Sequence, residues 1–476
     1  MKIENIDISK SIENLKQLLS EEKNISPVMK AAIEMILVIV SLLAGRLSLN
    51  SSNSSKPPSS DPNRKKPEKK TSDKKQGGQL GRVGKNLVPT DTPDEIVELL
   101  IDSSKLNEGE YKSAGHEARQ VFDMRISRYV IEYRAQRLCG PDGKIYTAEF
   151  PEGVVTQVQY GNGIKANSVY MSQFQLIPYD RINNHFAAQI KVPVSVGSIF
   201  NFNKEAYERL EAFERLTKQK LSSSALIHAD ETGINVGGKR IWLHSASNDL
   251  WAHFYPHKNR GNEAMDEIAI LPNFKGVLCH DHWKAYYAYQ NCKHSLCNSH
   301  HLRELQAALD IDKCDWAKQM QDLLCEINDK TNEAGGALDK ARADEYRIKY
   351  RAILTAGDQE TPPPEPQKNK SGSEKKRAKR SKSRNLLERL RNFEDDVLRF
   401  MEDKLVPFTN NQGENDLRMT KVQQKISGCF RSIEGAKIFC RIRGYILTCQ
   451  KHGVSVTDAF KLLFEGKLPQ FCDAGE

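Results

Sequence analysis

Two short apolar segments that each end in an aspartate constrain the fold of this chain more than any other feature. The segment SALIHAD ends at Asp230, and the segment GVLCHD ends at Asp281. Apolar runs of this length, bounded by polar residues, are typical of buried β-strands. An acid at a strand end is held by a rigid sheet and still meets solvent, so it can coordinate a hard cation. If the two strands are neighbours, both carboxylates project into one cleft.

The segments around these two strands predict the rest of an α/β core. RIWLHSA and LWAHFYPH are aromatic-rich strands separated by a polar turn at 247–249, and HSLCN is a further strand. Helical segments lie around 262–271 and in SHHLRELQAALD. Three strands in hairpin order, followed by strands and helices, predict an RNase H-like sheet. We therefore expect an RNase H-like catalytic core over residues 222–309 and 401–450.

A long, mostly helical stretch separates the two parts of this core. Residues 310–400 are predicted to form a helical insertion, which contains a basic loop at 361–385. The Pro, Gly and Ser content of that loop excludes a regular helix there. Residues 451–476 are interpreted as a C-terminal tail.

A helical segment is predicted at the N-terminus, over residues 1–49. Its apolar residues recur at alternating steps of three and four, which is the spacing of a coiled-coil seam. They are Ile33, Ile36, Val40, Leu43 and Leu47. A helix that packs on its own domain and a helix that self-associates explain this pattern equally well. Pro27 is expected to begin this helix or to separate it from a shorter one upstream.

Residues 50–86 form a segment in which Ser, Pro, Gly and Lys replace the apolar residues. Such a composition cannot bury enough apolar surface to offset the entropy of ordering, so we predict a flexible linker. It is also strongly basic, in a chain whose formal net charge is +9. Cations that follow a DNA backbone release counterions, which favours a DNA-binding arm over a simple spacer. The lysines expected to contact DNA are Lys65, Lys66, Lys69, Lys70, Lys74 and Lys75.

Two smaller segments connect this linker to the core. Residues 87–160 are predicted to form a small β-rich module, from stretches such as RQVFDMR and RYVIEYRAQRL. Residues 161–221 are predicted to be helical, with two short helices around a polar turn. This pattern is helix-turn-helix-like, and many helical hairpins look the same. Arg181 lies in it and is a candidate DNA contact.

A third acid is needed if the two aspartates are to hold a pair of Mg²⁺ or Mn²⁺ ions. Two such ions stabilise the attacking and the leaving oxygen of an in-line phosphoryl displacement. Glu414, on the final long helical stretch, is the candidate. Cap roles compete with this interpretation, because Asp281 could cap a following helix and Glu414 follows Asn411 by the spacing of a capping box. Glu231 is a rival ligand, but strand alternation sends it to the opposite face.

Cations are concentrated directly after Glu414. Those expected to contact the DNA backbone are Arg418, Lys421, Lys425 and Arg431. Arg418 lies one helical turn beyond Glu414, so it could pair with this acid or reach a scissile phosphate. A solvated helix face explains part of this set, but its position beside a candidate catalytic acid favours DNA contact.

The ten cysteines lack the dense spacing of a secreted disulfide scaffold, and the N-terminal residues include no apolar signal core. The most apolar run, MILVIVSLL, is far shorter than the roughly 20 residues of a membrane helix. We therefore expect a cytoplasmic protein with no membrane partner.

Several longer motifs carry a resemblance to a known family. NSSNSSKPPSSD, HADETG, CHDHWKAY, HSLCNSHHLREL and NNQGENDLRMTKVQQKISGCFRSIEGAKIFCRIRGY occur in this order. Together they resemble transposases of the insertion-sequence-66 family, over nearly the whole chain. The resemblance implies that Asp230, Asp281 and Glu414 are Asp-Asp-Glu catalytic residues and the ligands of two divalent ions, Mg²⁺ or Mn²⁺.

The resemblance also implies a function and partners. Such a transposase binds the terminal inverted repeats of its element, cleaves the DNA and joins it to a target, which requires a homo-oligomer. Accessory proteins of the same element are expected partners, and the expected location is bacterial and nucleoid-associated. The alternatives are an inactive, transposase-derived DNA-binding regulator and a nuclease of the same fold.

Zinc is not favoured at either position where cysteines suggest it. Cys297 and His300 have a spacing that can hold zinc, but packing or local hydrogen bonding explains it better. Family members usually carry a zinc-binding module with two cysteine pairs before the core, whereas residues 87–160 contain only Cys139. One thiolate cannot make a tetrahedral structural site, so this module is expected to be degenerate.

Overall fold

The computed structural model describes residues 2–3, 6–21, 25–47, 49–54, 61, 86–364 and 380–473. Much of the basic linker and of the basic loop lies outside them, including Lys65, Lys66, Lys69, Lys70, Lys74 and Lys75. The DNA contacts expected of these lysines remain predictions. Among the described helices, none combines the length and the apolarity that crossing a membrane requires.

A five-stranded mixed sheet lies at the centre of the fold. The described strands are β1 Lys2–Ile3, β2 Ile6–Asp7, β3 Arg137–Cys139, β4 Ile145–Thr147, β5 Leu226–Val236, β6 Lys239–Ser247, β7 Ala252–His257, β8 Val277–His280 and β9 Lys293–Leu296. The central sheet has the order β7-β6-β5-β8-β9. Neighbouring strands are antiparallel from β5 to β7, whereas β8 runs parallel to β5 and β9 parallel to β8. The predicted hairpin order and the pairing of the strands that carry or precede Asp230 and Asp281 are confirmed.

Strand β5 is longer than the sequence predicts, because its second half pairs with β6 alone. The expectation that Asp230 ends this strand is wrong, since β5 runs on until Val236 pairs with Lys239. Gly237 and Gly238 make the two-residue turn at φ 55° and 79°, a left-handed conformation that glycine adopts without strain. The parallel pairing with β8 ends at His228, so Asp230 still lies where the sheet opens.

Helices make up most of the remaining described structure. They are α1 Ile8–Glu21, α2 Pro27–Leu47, α3 Asn162–Val169, α4 Tyr179–Ile190, α5 Val196–Arg209, α6 Glu211–Ser222, α7 Asn262–Ile268, α8 Asn298–Ala307, α9 Asp315–Glu333, α10 Lys340–Glu360, α11 Lys382–Asn392, α12 Glu394–Leu398, α13 Asn411–Ser427, α14 Ile433–Lys451 and α15 Val456–Phe464. Helices α9 to α12 occupy the segment predicted to be a helical insertion.

Apolar side chains from distant parts of the chain form one cluster with the sheet. Phe213 of α6, Tyr445 of α14 and Phe460 of α15 are buried there together with Ile227 of β5. The rings of Phe213 and Tyr445 meet edge to face, with their centroids 5.0 Å apart. Burying such a side chain contributes roughly 1.5–3 kcal/mol. The segment interpreted as a C-terminal tail therefore supplies α15 to the core.

Helices α9 to α12 share a second apolar core. Trp316, Tyr350 and Leu387 are fully buried in it. Gly357 permits the close approach of α10, because a Cβ at this position would lie 2.7 Å from Leu387 Cδ1 and 3.1 Å from Trp316 Cγ. A larger residue at this position would push the helices apart.

The two ends of this helical unit meet at Asn298, the first residue of α8. Its main-chain N–H donates to the carbonyl oxygen of Phe408 at 3.1 Å, and its Nδ2 donates to the carbonyl oxygen of Val397 at 3.1 Å. Asn298 is fully buried, so water does not compete for these hydrogen bonds. The chain therefore leaves the sheet region and returns to it at nearly the same point.

The N-terminal helices agree with the sequence in their boundaries. Pro27 begins α2 and separates it from the shorter α1. Much of the predicted seam is exposed, since Ile36, Val40 and Leu43 have relative exposures of 58%, 36% and 53%. An apolar face of this kind is available to another protein surface.

Residues 87–160 contain far less β-structure than the sequence predicts. Only the short β3–β4 hairpin forms within this described segment, and residues 119–125 form no strand. Val121 and Tyr129 are 90% and 87% exposed, so the alternating pattern faces no partner surface. Without a neighbouring strand the backbone gains no ladder hydrogen bonds, which is why the β-rich prediction is wrong over most of this segment.

The helix pair predicted within residues 161–221 is confirmed as α4 and α5. Ile182 and Phe186 are buried on α4, and Ile199 is buried on α5. Ser195 caps α5 by accepting a hydrogen bond from the main-chain N–H of Ser198, so this serine has a local structural role. Arg181 is exposed on α4, and its contact with DNA remains a prediction.

A half-buried carboxylate ties α6 to α14 and to the edge of the sheet. Glu214 accepts a hydrogen bond from Arg441 Nε at 2.8 Å and lies 3.3 Å from His253 Nε2. Burial alone would raise the pKa of Glu214, but hydrogen bonds and positive charge from His253 and Arg441 outweigh burial and lower it to about 2.

Glu214→Gln is expected to flatten the acid limb of the stability profile. The pKa of this carboxyl is depressed in the folded state, so its stabilisation is complete above the ordinary value of 4.5 and is lost as pH falls toward about 2. Removing the charge should also lower stability at pH 7 by about 1–3 kcal/mol. Melting temperature against pH measures both effects. Glu211→Gln, on the exposed side of α6, is the control; an equally steep acid limb in the two variants contradicts the prediction.

Candidate active site

Asp230 lies within β5 and Asp281 directly follows β8, the strand that runs parallel to the first half of β5. His228 of β5 pairs with Cys279 of β8, and each aspartate lies two residues beyond its paired residue. Because side chains two residues apart on a strand point to the same face, the two carboxylates are brought side by side. The sequence-predicted cleft is thus supported by the strand register.

Negative charge accumulates around Asp230. Burial raises the pKa of Asp230 well above its usual range, and the charges of Glu231, Asp281 and Glu414 raise it further. Asp281 and Glu414 therefore both lie within electrostatic reach of Asp230, although Glu414 comes from the distant helix α13. Carboxylates that destabilise each other's charge in this way are suited to bind cations, which neutralise them.

Asp281 combines a turn role with a free oxygen. Its Oδ1 accepts a hydrogen bond from the main-chain N–H of Trp283 at 3.0 Å, at the start of the short 3-10 helix Lys284–Ala288. Among the described residues no donor contacts Oδ2. The hydrogen bond to Trp283 and the binding of a cation are therefore compatible, since each would use a different oxygen of Asp281.

Glu231 is committed to other partners. Its Oε1 accepts a hydrogen bond from Arg260 Nε at 2.9 Å, and its Oε2 accepts one from the Tyr286 hydroxyl at 2.6 Å. The side chain is 8% exposed and pairs across the sheet with His244, whereas Asp230 pairs with Ser245. The prediction that strand alternation separates Glu231 from Asp230 is confirmed.

Glu414 lies in the first turn of α13, and the capping-box interpretation of it is wrong. The cap residue is Asn410 rather than Asn411, and the Asn410 side chain does not bond to the helix. Glu414 Oε1 is buried and has no hydrogen-bond donor among the described residues. The nearest basic nitrogen atoms are His300 Nδ1 and Arg303 Nη2, both at 3.8 Å, and burial lowers the pKa of His300. A buried carboxylate oxygen without a hydrogen bond is suited to a ligand.

Asn410 connects the start of α13, which carries Glu414, to β5, which carries Asp230, and sequence reasoning missed it. Its Nδ2 donates to the carbonyl oxygen of Ala229 at 3.0 Å, its Oδ1 lies 2.7 Å from His228 Nδ1, and its main-chain N–H donates to Cys297 Sγ at 3.1 Å. The start of α13 is thereby fixed to β5 directly beside Asp230. The adjacent Asn410–Asn411 pair before Glu414 was the available signal, but the sequence does not show which asparagine turns inward.

The Cys-x-x-His element packs against the same point. Cys297 accepts the Asn410 hydrogen bond, which agrees with the local role predicted for it. The structure adds a feature that the spacing did not reveal, because one ligand atom each from Cys297, His300 and Glu414 lie within 4.8 Å of one another. Cys139, in contrast, is exposed on the β3–β4 hairpin.

The predicted cations divide into two groups. Arg418, Lys425 and Arg431 are exposed, and no carboxylate of the described residues lies within salt-bridge distance of them. Lys421 donates from Nζ to the carbonyl oxygen of Gly233 at 3.1 Å, so it lies against β5. Burial lowers the pKa of Lys421, as does the charge of Arg240, while Asp230 opposes this shift.

A stack of arginine and tryptophan side chains adjoins the acids and was not anticipated. The Arg260 guanidinium lies 4.7 Å from the Trp242 ring centroid and 4.4 Å from that of Trp283, and Arg240 lies 4.8 Å from the Trp242 ring. Both rings are partly exposed. Such stacks offer flat surfaces and positive charge, both of which suit nucleic acid.

These features define a mixed α/β protein in which Asp281, directly after β8, and Glu414, in the first turn of α13, both lie within electrostatic reach of Asp230 on β5. The model of the Transposase IS66 family matches residues 157–438, a range that includes all three acids. The chain therefore belongs to the Transposase IS66 family, and this membership suggests a transposase. Residues 4–87 match a family of unknown function (DUF6444). No curated protein matches the chain at a significant level.

Proposed function

We propose that this protein is a transposase that binds the terminal inverted repeats of its element and catalyses metal-dependent DNA cleavage and strand transfer. The observation that supports the proposal is the strand register that sets Asp281 beside Asp230, together with the start of α13, which brings Glu414 within electrostatic reach of Asp230. Family membership gives the class of reaction, and the acid cluster gives the place where it would occur.

The order of the sheet supports an RNase H-like core over residues 222–309 and 401–450. Three antiparallel strands are followed by two parallel ones, with β5 at the centre. Helix α13 then returns after the helical insertion and brings Glu414 to the strands that position Asp230 and Asp281. This return of the chain supports a site shared by the three acids.

Divalent ions fit the donor set at this site. Asp230, Asp281 and Glu414 offer carboxylate oxygens, which Mg²⁺ and Mn²⁺ prefer, and Glu414 Oε1 lacks another partner among the described residues. When bound, two such ions supply Lewis-acid stabilisation of the attacking and leaving oxygens. Glu231 would remain outside this set, because it is paired with Arg260, and the Arg260 guanidinium would stay next to the acids.

The cations of α13 would hold the DNA backbone against the acids. Arg418 and Lys425 are exposed on the helix that begins beside Glu414, and Lys421 lies between this helix and β5. A phosphate that enters between them would be oriented by hydrogen bonds and charge. Trp242 and Trp283 supply stacking surfaces for unpaired bases at the cleavage point.

The test is a cleavage and joining assay on the DNA ends that flank the reading frame, with Mg²⁺ or Mn²⁺. The proposal expects a freed 3′-hydroxyl and its transfer into target DNA. Cleavage without joining indicates a nuclease of the same fold. Binding without cleavage indicates a transposase-derived regulator, and either result overturns the proposal.

Arg418→Gln and Lys425→Gln are each expected to weaken DNA binding several-fold at low salt. Each removes about one phosphate contact, so the slope of log affinity against log salt should become shallower by about one. Electrophoretic mobility shifts across a salt series measure this slope. Lys340→Gln, an exposed lysine at the start of α10, is the control, and an unchanged slope in the α13 variants contradicts their role.

An oligomer that pairs two DNA ends follows from strand transfer, and the exposed apolar face of α2 is the proposed contact. Light scattering of the protein with and without residues 1–49 tests this assignment, and an unchanged number of chains per particle rules out that face. Accessory proteins of the same element and a cytoplasmic, nucleoid-associated location accompany the proposal.

Zinc remains disfavoured at Cys139, because one exposed thiol lacks the partners of a structural site.

A further inference from the structure

We infer that Cys297, His300 and Glu414 form a binding site for a borderline-soft divalent cation such as Zn²⁺, and that this cation competes with the hard ions for Glu414. The three residues come from the start of α8 and the start of α13. One ligand atom from each lies within 4.8 Å of the other two. Thiolate, imidazole and carboxylate together form a set that zinc binds readily.

The spacing is close to that of a bound ion. Zinc bonds of about 2.0–2.3 Å in a tetrahedral arrangement place the ligand atoms roughly 3.3–3.6 Å apart. His300 Nδ1 and Glu414 Oε1 are 3.8 Å apart. This pair therefore lies close to the bound spacing, and the distances from Cys297 Sγ to the other two ligand atoms, within 4.8 Å, are the ones that would have to shorten most.

Two atoms at this point lack partners. His300 Nδ1 and Glu414 Oε1 are both buried without a hydrogen bond among the described residues. A buried polar atom without a hydrogen bond is unfavourable, so two such atoms 3.8 Å apart indicate room for a ligand between them. Arg303 Nη2, 3.8 Å from the same Oε1, is the competing cation of the protein itself.

Burial raises the pKa of the Cys297 thiol, whereas a main-chain hydrogen bond from Asn410 opposes this shift, so an ion would have to displace the thiol proton. Cys297 is 1% exposed, and its Sγ accepts the main-chain hydrogen bond of Asn410 at 3.1 Å. Hydrogen bonds of this kind orient and support ligating groups. The Glu414 side chain is 36% exposed, which provides an entry path for the ion. Coordination would release the thiol proton of Cys297 to solvent.

The consequence for the reaction rests on the proposed function. Three protein ligands leave the fourth position of a tetrahedral ion to water. While bound, it would hold Glu414 away from Asp230 and Asp281. Zn²⁺ would therefore inhibit the Mg²⁺-dependent reaction by occupying a site of its own.

Titration of the purified full-length protein with Co²⁺ tests the site without any activity. The expected result is a thiolate-to-cobalt charge-transfer band that saturates at one ion per chain. Cys297→Ser should abolish the band, His300→Gln should weaken binding at least tenfold, and Cys429→Ser, a half-buried cysteine elsewhere on the chain, should leave the band unchanged. A wild-type protein without the band, or a band that persists in Cys297→Ser, overturns the site; melting curves establish that each variant is folded.

Zn²⁺ inhibition of cleavage then tests the competition. Half-inhibition of Cys297→Ser, relative to its own activity without Zn²⁺, is expected to need at least tenfold more Zn²⁺ than wild type. Equal sensitivity overturns the competition. If the cobalt band is present but the protein never cleaves DNA, the metal site stands and the proposed function is refuted. The competition between the two kinds of ion then has no meaning, so failure of the site and failure of the proposed function give different results.

Discussion

Asp230→Asn is expected to lower metal-dependent cleavage and joining by roughly three orders of magnitude, while DNA affinity stays near that of wild type. The substitution keeps the size of the side chain but removes one of the charges that would hold the ions. The contacts proposed for DNA lie on α13 and on the arginine–tryptophan stack, so they remain in place. Cleavage rates under single-turnover conditions and mobility shifts measure the two quantities separately.

The same substitution should stabilise the protein when divalent ions are absent. The pKa of Asp230 is raised by burial and by Glu231, Asp281 and Glu414, so the folded chain holds this proton more tightly than the unfolded chain. Stability therefore falls as pH rises from the ordinary value of 3.8 through the raised pKa, and Asp230→Asn removes that fall. Activity loss together with a higher melting temperature at neutral pH separates a catalytic role from a structural one.

Asp249→Asn provides the matched control, because Asp249 is exposed in the turn between β6 and β7. It should change neither the cleavage rate nor the melting temperature. Mg²⁺-dependent cleavage retained in Asp230→Asn would remove this aspartate from the site.

Asn410→Ala is expected to reduce cleavage by about 10- to 100-fold, the range found when a group that positions metal ligands is removed. Asn410 is 1% exposed and fixes the start of α13 to β5 through Ala229 and His228. Its loss leaves a buried carbonyl and a ring nitrogen without partners and should cost about 1–3 kcal/mol of stability. Glu414 would then be held less firmly relative to Asp230.

The kinetic pattern distinguishes positioning from general loss of stability. At a temperature where the variant is fully folded, kcat should fall while the KM for DNA changes little, because Asn410 lies beneath the acids and away from the exposed cations. Asn411→Ala, at the exposed neighbouring position, should behave as wild type. If Asn410→Ala lowers only the melting temperature, Asn410 has no positioning role.

The sequence was sufficient for the parts of the site that depend on local pattern. Apolar runs that lead into Asp230 and Asp281 predicted neighbouring strands, and the structure pairs those strands in register. The family motifs pointed to Glu414, which α13 brings within electrostatic reach of Asp230. Alternation along β5 also predicted that Glu231 would face away. Each of these inferences uses residues close together in the chain or a motif of known order.

Features that depend on long-range contacts were not predictable in this way. The hydrogen bond from Asn410 to Cys297 and the approach of His300 to Glu414 join segments on either side of the helical insertion. Periodicity carries no information about such pairs. The β-rich prediction for residues 87–160 failed for a related reason, since strand propensity has little effect where no second strand is present to pair with it.

The closure of the helical insertion at Asn298 has an evolutionary consequence. Because the chain departs and returns at one anchored point, the distance between the second and third acids is independent of how many residues lie between them. Duplications, deletions and added basic segments can therefore accumulate there without displacing Glu414 relative to Asp281. We expect the length of this region to differ between related elements more than any other part of the core, so that target preference and partner choice can diverge while the chemistry is inherited unchanged.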